Sequence, residues 1–149
     1  MRIITLYQPY ATLMMLGLKT NETRNRRTLV RGTLGIHAAA AIPNWCRLKM
    51  NEASFKSALK DVELPTGKIL GTVELIGSMR TEEWLLSQSD IIEGFYTAAV
   101  WNEIAFGDYS ANRWAWQTIN PTPFETPIPA KGSQGFWFFD LPNEVIQQD

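Results

Sequence analysis

Lys68-Ile69-Leu70-Gly71-Thr72-Val73-Glu74-Leu75-Ile76 is the most strand-like stretch of the chain. Ile69, Leu70, Val73, Leu75 and Ile76 crowd it with apolar and β-branched side chains, the pattern of a strand inside a sheet. Gly71 within it points to a bulge or to a backbone that approaches too closely for a Cβ. Just upstream, Pro65-Thr66-Gly67 reads as a turn, and Asn51 to Lys60 as a short amphipathic helix with Phe55 and Leu59 four apart. Further back, Thr33 to His37 reads as a strand, followed by an alanine-rich stretch that ends at Pro43. Residues 2–7 alternate and read as the first strand. Gln8-Pro9 breaks it, Pro9 opens a helix carried on by Ala11 to Leu16, and Gly17 stops that helix.

Downstream, Thr81-Glu82-Glu83 reads as an N-cap followed by acids in a first turn, with Trp84, Leu85 and Leu86 on the helix it opens. Residues 91–105 fit either a helix or an irregular insert, closed by Gly107-Asp108. Arg113 to Ile119 reads as a strand with Trp114 and Trp116 on one face. Pro121, Pro123, Pro127 and Pro129 then call for an extended edge segment, and Gly135 to Asp140 for a last strand with Trp137 in the core. Strands at both ends with short helices between them predict a mainly-β α+β fold. Its expected form is one domain over residues 1–149: a small, closed or nearly closed mixed β-barrel with flanking short helices and a helical insert around 82–105.

With 45% hydrophobic and 19% charged residues, the composition excludes a mostly disordered chain. No apolar run approaches the ~18 residues that cross a bilayer, and the N-terminus lacks the apolar core of a signal peptide. Cys46, the one cysteine, has no partner for an internal disulfide, and with His37, the one histidine, it makes a poor zinc site. The expectation is a cytoplasmic protein with no metal, no cofactor and no membrane contact. Phosphate-loop, nucleophile-elbow, zincin and dinucleotide motifs are all missing. A Cys46–His37 nucleophile pair lacks a third group, so a buried or incidental cysteine is the better reading.

The charges are unevenly placed. Residues 1–49 hold eight basic residues against one acid, and the remaining hundred hold six against fourteen. An anion-facing surface is one reading of that asymmetry. Pairing of the early arginines with the later acids is the other. Within the basic part, Gly17-Leu18-Lys19-Thr20-Asn21-Glu22-Thr23-Arg24 carries the most information. If residues 22–26 are extended, Glu22, Arg24 and Arg26 share a face, and Glu22 holds Arg24 in a charge-assisted pair. Lys19, at the end of a turn, is a candidate base or nucleophile if desolvated. A solvated basic loop is the plainer alternative.

Several segments together resemble a known family. They are Leu6-Tyr7-Gln8-Pro9-Tyr10-Ala11, then Gly17-x-Lys19-x-x-Glu22-x-Arg24, then Arg27-Thr28-x-x-Arg31-Gly32-x-Leu34-x-Ile36-His37-Ala38. Gly71 to Leu75, Phe106 to Ser110, Arg113 to Trp116, Pro127 to Gly132 and Gln134 to Trp137 continue the likeness. From about residue 3 to 141 the chain resembles the ASCH domain (activating signal cointegrator homology). The resemblance implies a PUA-like barrel with RNA or a modified nucleoside bound in a basic cleft beside it. It implies a cleft lined by Lys19, Glu22, Arg24, Arg27, Thr28 and His37, with Gln8 and the segment from Tyr109 through Trp114 to Trp116 near its mouth.

Three functions follow. The first is a module that binds RNA or a modified nucleoside, with phosphate held by arginine and lysine and bases by aromatic rings. The second is a metal-independent hydrolase of RNA or of an acylated nucleoside. One branch of the family consists of N4-acetylcytidine amidohydrolases whose motif joins a lysine, a threonine three residues on and a glutamate. Lys19 fits the lysine, Glu22 stands at the threonine position, and Glu74 is a candidate for the distant acid. The third is a protein-interaction module of transcription or RNA metabolism. His37 fits either a proton-transfer group or a structural hydrogen bond.

Overall fold

The strand expected at 68–76 continues to Arg80 in the computed structural model, which describes residues 1–89 and 95–142. In chain order the elements are β1 (Arg2–Leu6), α1 (Tyr10–Met15), β2 (Asn21–Arg24), β3 (Gly32–Ala38), α2 (Asn44–Lys49) and α3 (Ala53–Leu59). They are followed by β4 (Lys68–Arg80), α4 (Thr81–Gln88), α5 (Ala98–Ala105), β5 (Trp114–Pro129) and β6 (Trp137–Phe138). The strands form one six-stranded sheet in the order β2-β5-β4-β3-β1-β6. β1 and β3 run parallel, with Ile4 opposite Ile36; every other pairing is antiparallel. Gly71 explains itself. A Cβ there would strike the Thr122 carbonyl oxygen and lie 2.7 Å from Met15 Sδ. The pairing of β4 with β5 also slips between Ile69 and Gly71, so the strand bends where it has no side chain.

The expected barrel does not close. The sheet ends at β2 and β6, which are four and two residues long and do not pair with each other. β6 covers only Arg2 and Ile3 of β1, so Thr5 and Leu6 face an open seam. The final strand expected over 135–140 shrinks to Trp137–Phe138, because Gly135 turns the chain at φ 65°. The four prolines fall within the long β5, which is exposed through most of its second half, as an edge tolerant of missing N–H donors requires.

α1 lies between two apolar layers. Ala11, Met14 and Met15 pack on Ile4, Leu34, Ile36, Val73, Leu75 and Trp116 of the sheet. Leu13 packs outward on Phe55 and Phe106. Gly17 ends α1 at φ 75°, a conformation that suits glycine, and donates to the Met14 carbonyl. The N–H groups of Leu18 and Lys19 both point back at the Leu13 carbonyl. That turn aims Lys19 inward. Thr81 is not an N-cap: it is the first residue of α4, and its hydroxyl donates to the Ser110 carbonyl at 3.2 Å. α2 lies where no helix was expected. Of the expected insert, α4 and α5 are helical, and residues 90–94 lie outside the described part.

Two buried polar groups tie distant segments to this frame. Glu103 on α5 is 5% exposed. Its carboxylate accepts from Thr20 N at 2.8 Å, Thr20 Oγ1 at 3.1 Å and Asn21 N at 2.8 Å, which fixes the entry into β2. His37 on β3 sits in a complete donor chain. Trp137 Nε1 donates to Thr5 Oγ1 at 3.0 Å, the Thr5 hydroxyl donates to His37 Nδ1 at 3.1 Å, and His37 Nε2 donates to the Ala130 carbonyl at 2.7 Å. The neutral ring with its proton on Nε2 satisfies every member. Burial holds His37 below its ordinary pKa of 6.5, outweighing the pull of the Ala130 carbonyl in the other direction.

Each device has a measurable consequence. Glu103→Ala leaves the buried Asn21 N–H and the part-buried Thr20 N–H without a partner and is expected to cost about 3 kcal/mol in urea unfolding, with Glu103→Gln costing about half of that. A cost under about 0.5 kcal/mol for both, the range of ordinary surface changes, contradicts the tether. For His37 the unfolded chain takes up a proton more readily than the native one. Stability is therefore unaffected by this group above pH 6.5 and declines as pH falls from 6.5 toward the lowered native value. Unfolding midpoints between pH 7.5 and 5 measure this, and His37→Gln is expected to flatten the decline.

Candidate functional site

The open seam between β2 and the segment preceding β6 is a broad cleft of about 2,100 Å³. Its floor comes from the inward turn after α1. Lys19 is 2% exposed, and its Nζ donates to the Asn21 carbonyl. The same ammonium lies 3.6 Å from Glu22 Oε1 and 6.0 Å from the centre of the Tyr10 ring. Burying an ammonium is costly unless charge and hydrogen bonds replace its water, and here all three neighbours do so.

Glu22 and Arg24 point the same way because they are two apart on a strand. Glu22 Oε2 accepts from Arg24 Nε at 2.9 Å and lies 2.9 Å from Arg24 Nη2 as an ion pair. The carboxylate is thus shared, one oxygen toward Lys19 and the other toward Arg24. Arg24 Nη2 also reaches across the seam to the Thr5 carbonyl of β1 at 3.4 Å. Its guanidinium lies 5.5 Å from the centre of the Trp116 ring, which stacks on Phe136 at 5.5 Å and 12°. Trp116 Nε1 donates to the Arg26 carbonyl at 2.9 Å. So the seam that backbone pairing leaves open is spanned by side chains. Two cations and one carboxylate leave the floor net positive, and the exposed Arg26 and Arg27 extend that sign along the wall.

Of the residues expected to form the site, Lys19, Glu22, Arg24, Arg27, Thr28, His37 and Tyr109 line this cleft. They differ in what they offer. The Thr28 hydroxyl is taken by Val30 N at 3.1 Å, and His37 is 1% exposed with both ring nitrogens bonded. His37 is therefore the structural alternative rather than a proton-transfer group. Tyr109 accepts from Asn21 Nδ2 at 3.2 Å and packs against Trp84 with ring centres 5.1 Å apart and planes tilted by 37°. Burial and the nearby Glu103 carboxylate push its hydroxyl well above the ordinary tyrosine range, so it stays neutral.

Three expected residues stand elsewhere. Gln8 is fully buried and holds the start of α1, accepting from Thr12 N at 3.0 Å and donating to the Pro65 carbonyl at 2.8 Å. Glu74 pairs with Thr33 Oγ1 at 2.8 Å on β4 and does not line the cleft. Trp114 also lies outside the lining, where the Arg80 guanidinium covers its ring at 4.6 Å. In exchange, the cleft takes in Tyr7, Tyr10, Trp45 and Trp116, which no motif had singled out as a group. Cys46 is buried, and desolvation pushes its thiol up to about 11, which keeps it protonated near neutral pH. Among the described residues no cluster of His, Cys, Asp and Glu is gathered for a metal ion, and no helix is long and apolar enough to cross a membrane.

Comparison with known proteins agrees with the architecture. Over 142 residues the chain is 29% identical to human activating signal cointegrator 1 and 28% identical to the mouse protein. The match takes in 92% of this chain but spans only about a fifth (22%) of the length of each relative. Among solved structures, ASCH from Zymomonas mobilis superposes with a TM-score of 0.52 at 15% identity, covering 98% of this chain and 90% of that one. A tyrosine-to-phenylalanine variant of that protein gives 0.51 at 16% identity, covering 99% and 94%. These structures share the fold of this chain. Residues 4–128 match the family model described as the ASCH domain, and the chain belongs to that family.

Proposed function

We propose that this chain binds single-stranded RNA, or a modified nucleoside within it, in the seam cleft. The observation that carries the reading is the shared Glu22 carboxylate. It holds Arg24 by a hydrogen bond and an ion-pair contact, each at 2.9 Å, while the cleft wall beyond continues with Arg26 and Arg27. A guanidinium held from one side keeps its remaining N–H groups aimed outward, and among the described residues Arg24 Nη1 makes no hydrogen bond. Such a group suits a phosphate or a base carbonyl. Glu22 suits the exocyclic amine of an unpaired base, and Trp116 with Phe136 supplies an apolar wall. The fold family, generally related to nucleic acids, agrees with this choice.

A second reading rests on the buried Lys19–Glu22 pair, since an ammonium and a carboxylate desolvated in one cleft are also the parts of a hydrolase. In amide cleavage, water adds to the acyl carbon, the C–N bond breaks, and the leaving amine takes up the proton. Glu22 would move that proton and Lys19 would stabilise the developing oxyanion. Glu74, outside the cleft, has no part in it.

Binding is read by anisotropy of a labelled, unstructured RNA octamer over a salt series. Arg27→Gln and Arg24→Gln are each expected to weaken binding, and each lost phosphate contact lowers the log–log salt slope by about 0.7. Lys19 keeps its carboxylate partner in both variants. Unchanged affinity and slope in both would count decisively against the cleft. The hydrolase reading predicts acetate release from N4-acetylcytidine, or cleavage of labelled RNA, that Glu22→Gln lowers by about a hundredfold or more. Absence of turnover by the unaltered protein removes that reading and leaves binding.

A further inference from the structure

Four aromatic contacts run in a line from the core to the cleft. Phe106, 1% exposed, meets Phe55 at 4.9 Å; Phe55 meets Tyr10 at 6.0 Å; Tyr10 meets Trp45 at 6.0 Å and 31°; and Trp45 meets Tyr7 edge-on at 6.0 Å. The inner end is sealed, with Phe55 fully buried. The outer end is not: Trp45 is 52% exposed and Tyr7 47%, and both line the cleft. Isolated exposed aromatics are ordinary on protein surfaces. Two adjacent ones, backed by the half-buried Tyr10 ring and set on a concave face, are a prepared platform. Tyr10 links this platform to the charged floor, since the Lys19 ammonium lies 6.0 Å from the same ring.

We propose that Trp45, flanked by Tyr7, is a stacking subsite for an unpaired base adjoining the nucleotide held over Glu22 and Arg24. The ligand is then a single-stranded oligonucleotide rather than a free nucleoside. The inference rests on the cleft reading above and extends it. Charge decides the occupant. Arg26, Arg27 and Lys131, none of which pairs with an acid among the described residues, line the same cleft. A free nucleoside has no phosphate to meet these cations, and an apolar peptide would leave them facing no counter-charge. A polyanion whose repeating unit carries a flat ring satisfies both the cations and the platform. Stacking is tolerant of base identity, so Trp45 adds affinity and reach while selection stays at the Glu22–Arg24 floor.

Competition against a labelled RNA octamer, using cytidine monophosphate, dicytidylate and unlabelled octamer, tests this on the full chain. The unaltered protein is expected to prefer dicytidylate to the mononucleotide by about tenfold or more, one stacked base being the difference. Trp45→Ala is expected to remove that step while leaving the mononucleotide affinity as it was, and Trp45→Phe to restore most of it. Circular dichroism of each variant verifies the fold. Octamer binding that depends on Arg24 but ignores Trp45→Ala overturns the subsite and leaves the cleft standing. Failure of the unaltered protein to bind any of these RNAs overturns both. Concentration-dependent self-association that Trp45→Ala abolishes, with RNA affinity intact, assigns the rings to an interface between copies and likewise overturns the proposal.

Discussion

One carboxylate organises the cleft side of this molecule. Glu22 stands between an ammonium with almost no contact with water and a guanidinium that leans over a tryptophan. Either cation without it would be poorly placed: Lys19 would be buried with only a carbonyl and a ring for company, and Arg24 would lose its hydrogen bond and its ion pair. Removing one partner of a buried pair costs about 3–5 kcal/mol, because the charge left behind cannot regain its water. The pair also does mechanical work. Arg24 reaches the Thr5 carbonyl, so β2 and β1, which share no ladder, are joined through a side chain.

That joint spans a sheet that backbone pairing leaves incompletely closed, and it leaves the opening reachable. Closure by backbone pairing would bury the Thr5–Leu6 edge and leave nowhere for a guest. Closure by side chains is porous. The Trp116–Phe136 stack and the Arg24–Thr5 contact hold the two edges in register, and the space between them stays reachable. The short lengths of β2 and β6 are therefore part of the design of the cleft. Edge strands this brief also offer little template for unwanted pairing with another chain.

How far these features can be read from the chain depends on the distance over which their causes act. β4, β3, α1 and the stop at Gly17 are local in origin, set by β-branched runs, a proline and a glycine, and they stand where those residues place them. The Glu22–Arg24 pair is local too, following from a period of two on a strand. Glu103 is different. It meets Thr20 across 83 residues, and a glutamate in a helix gives no sign that its partners are backbone donors of a distant turn. Gln8 misleads for the opposite reason. Its place beside a turn at the mouth suits a ligand contact, yet the fold spends its amide on Thr12 and Pro65. Thr81 lies directly after a strand, where an N-cap is expected. The hydroxyl instead finds carbonyls of the segment leading into β5. α2 has too few residues for its periodicity to show.

The uneven charge distribution has two readings, and the ion pairs among the described residues bear on both. Among the described residues, Lys19 and Arg24 pair with Glu22, Lys49 with Glu52 and Arg113 with Asp108, all within a few positions of each other in the chain. No described pair takes Arg26, Arg27 or Arg31 to an acid of the later half. Arg31 folds back instead on the carbonyls of Thr28 and Val30 at 2.9 and 2.7 Å, bracing the loop that carries Arg26 and Arg27. The later half contributes to the cleft in another way. Its buried acid, Glu103, supports the turn from behind, and Trp116 and Phe136 form part of the wall. Within the basic segment Lys19 and Arg24 are thus held by Glu22, and the loop that follows is braced by the Arg31 bonds to its backbone and by the Trp116 bond to the Arg26 carbonyl.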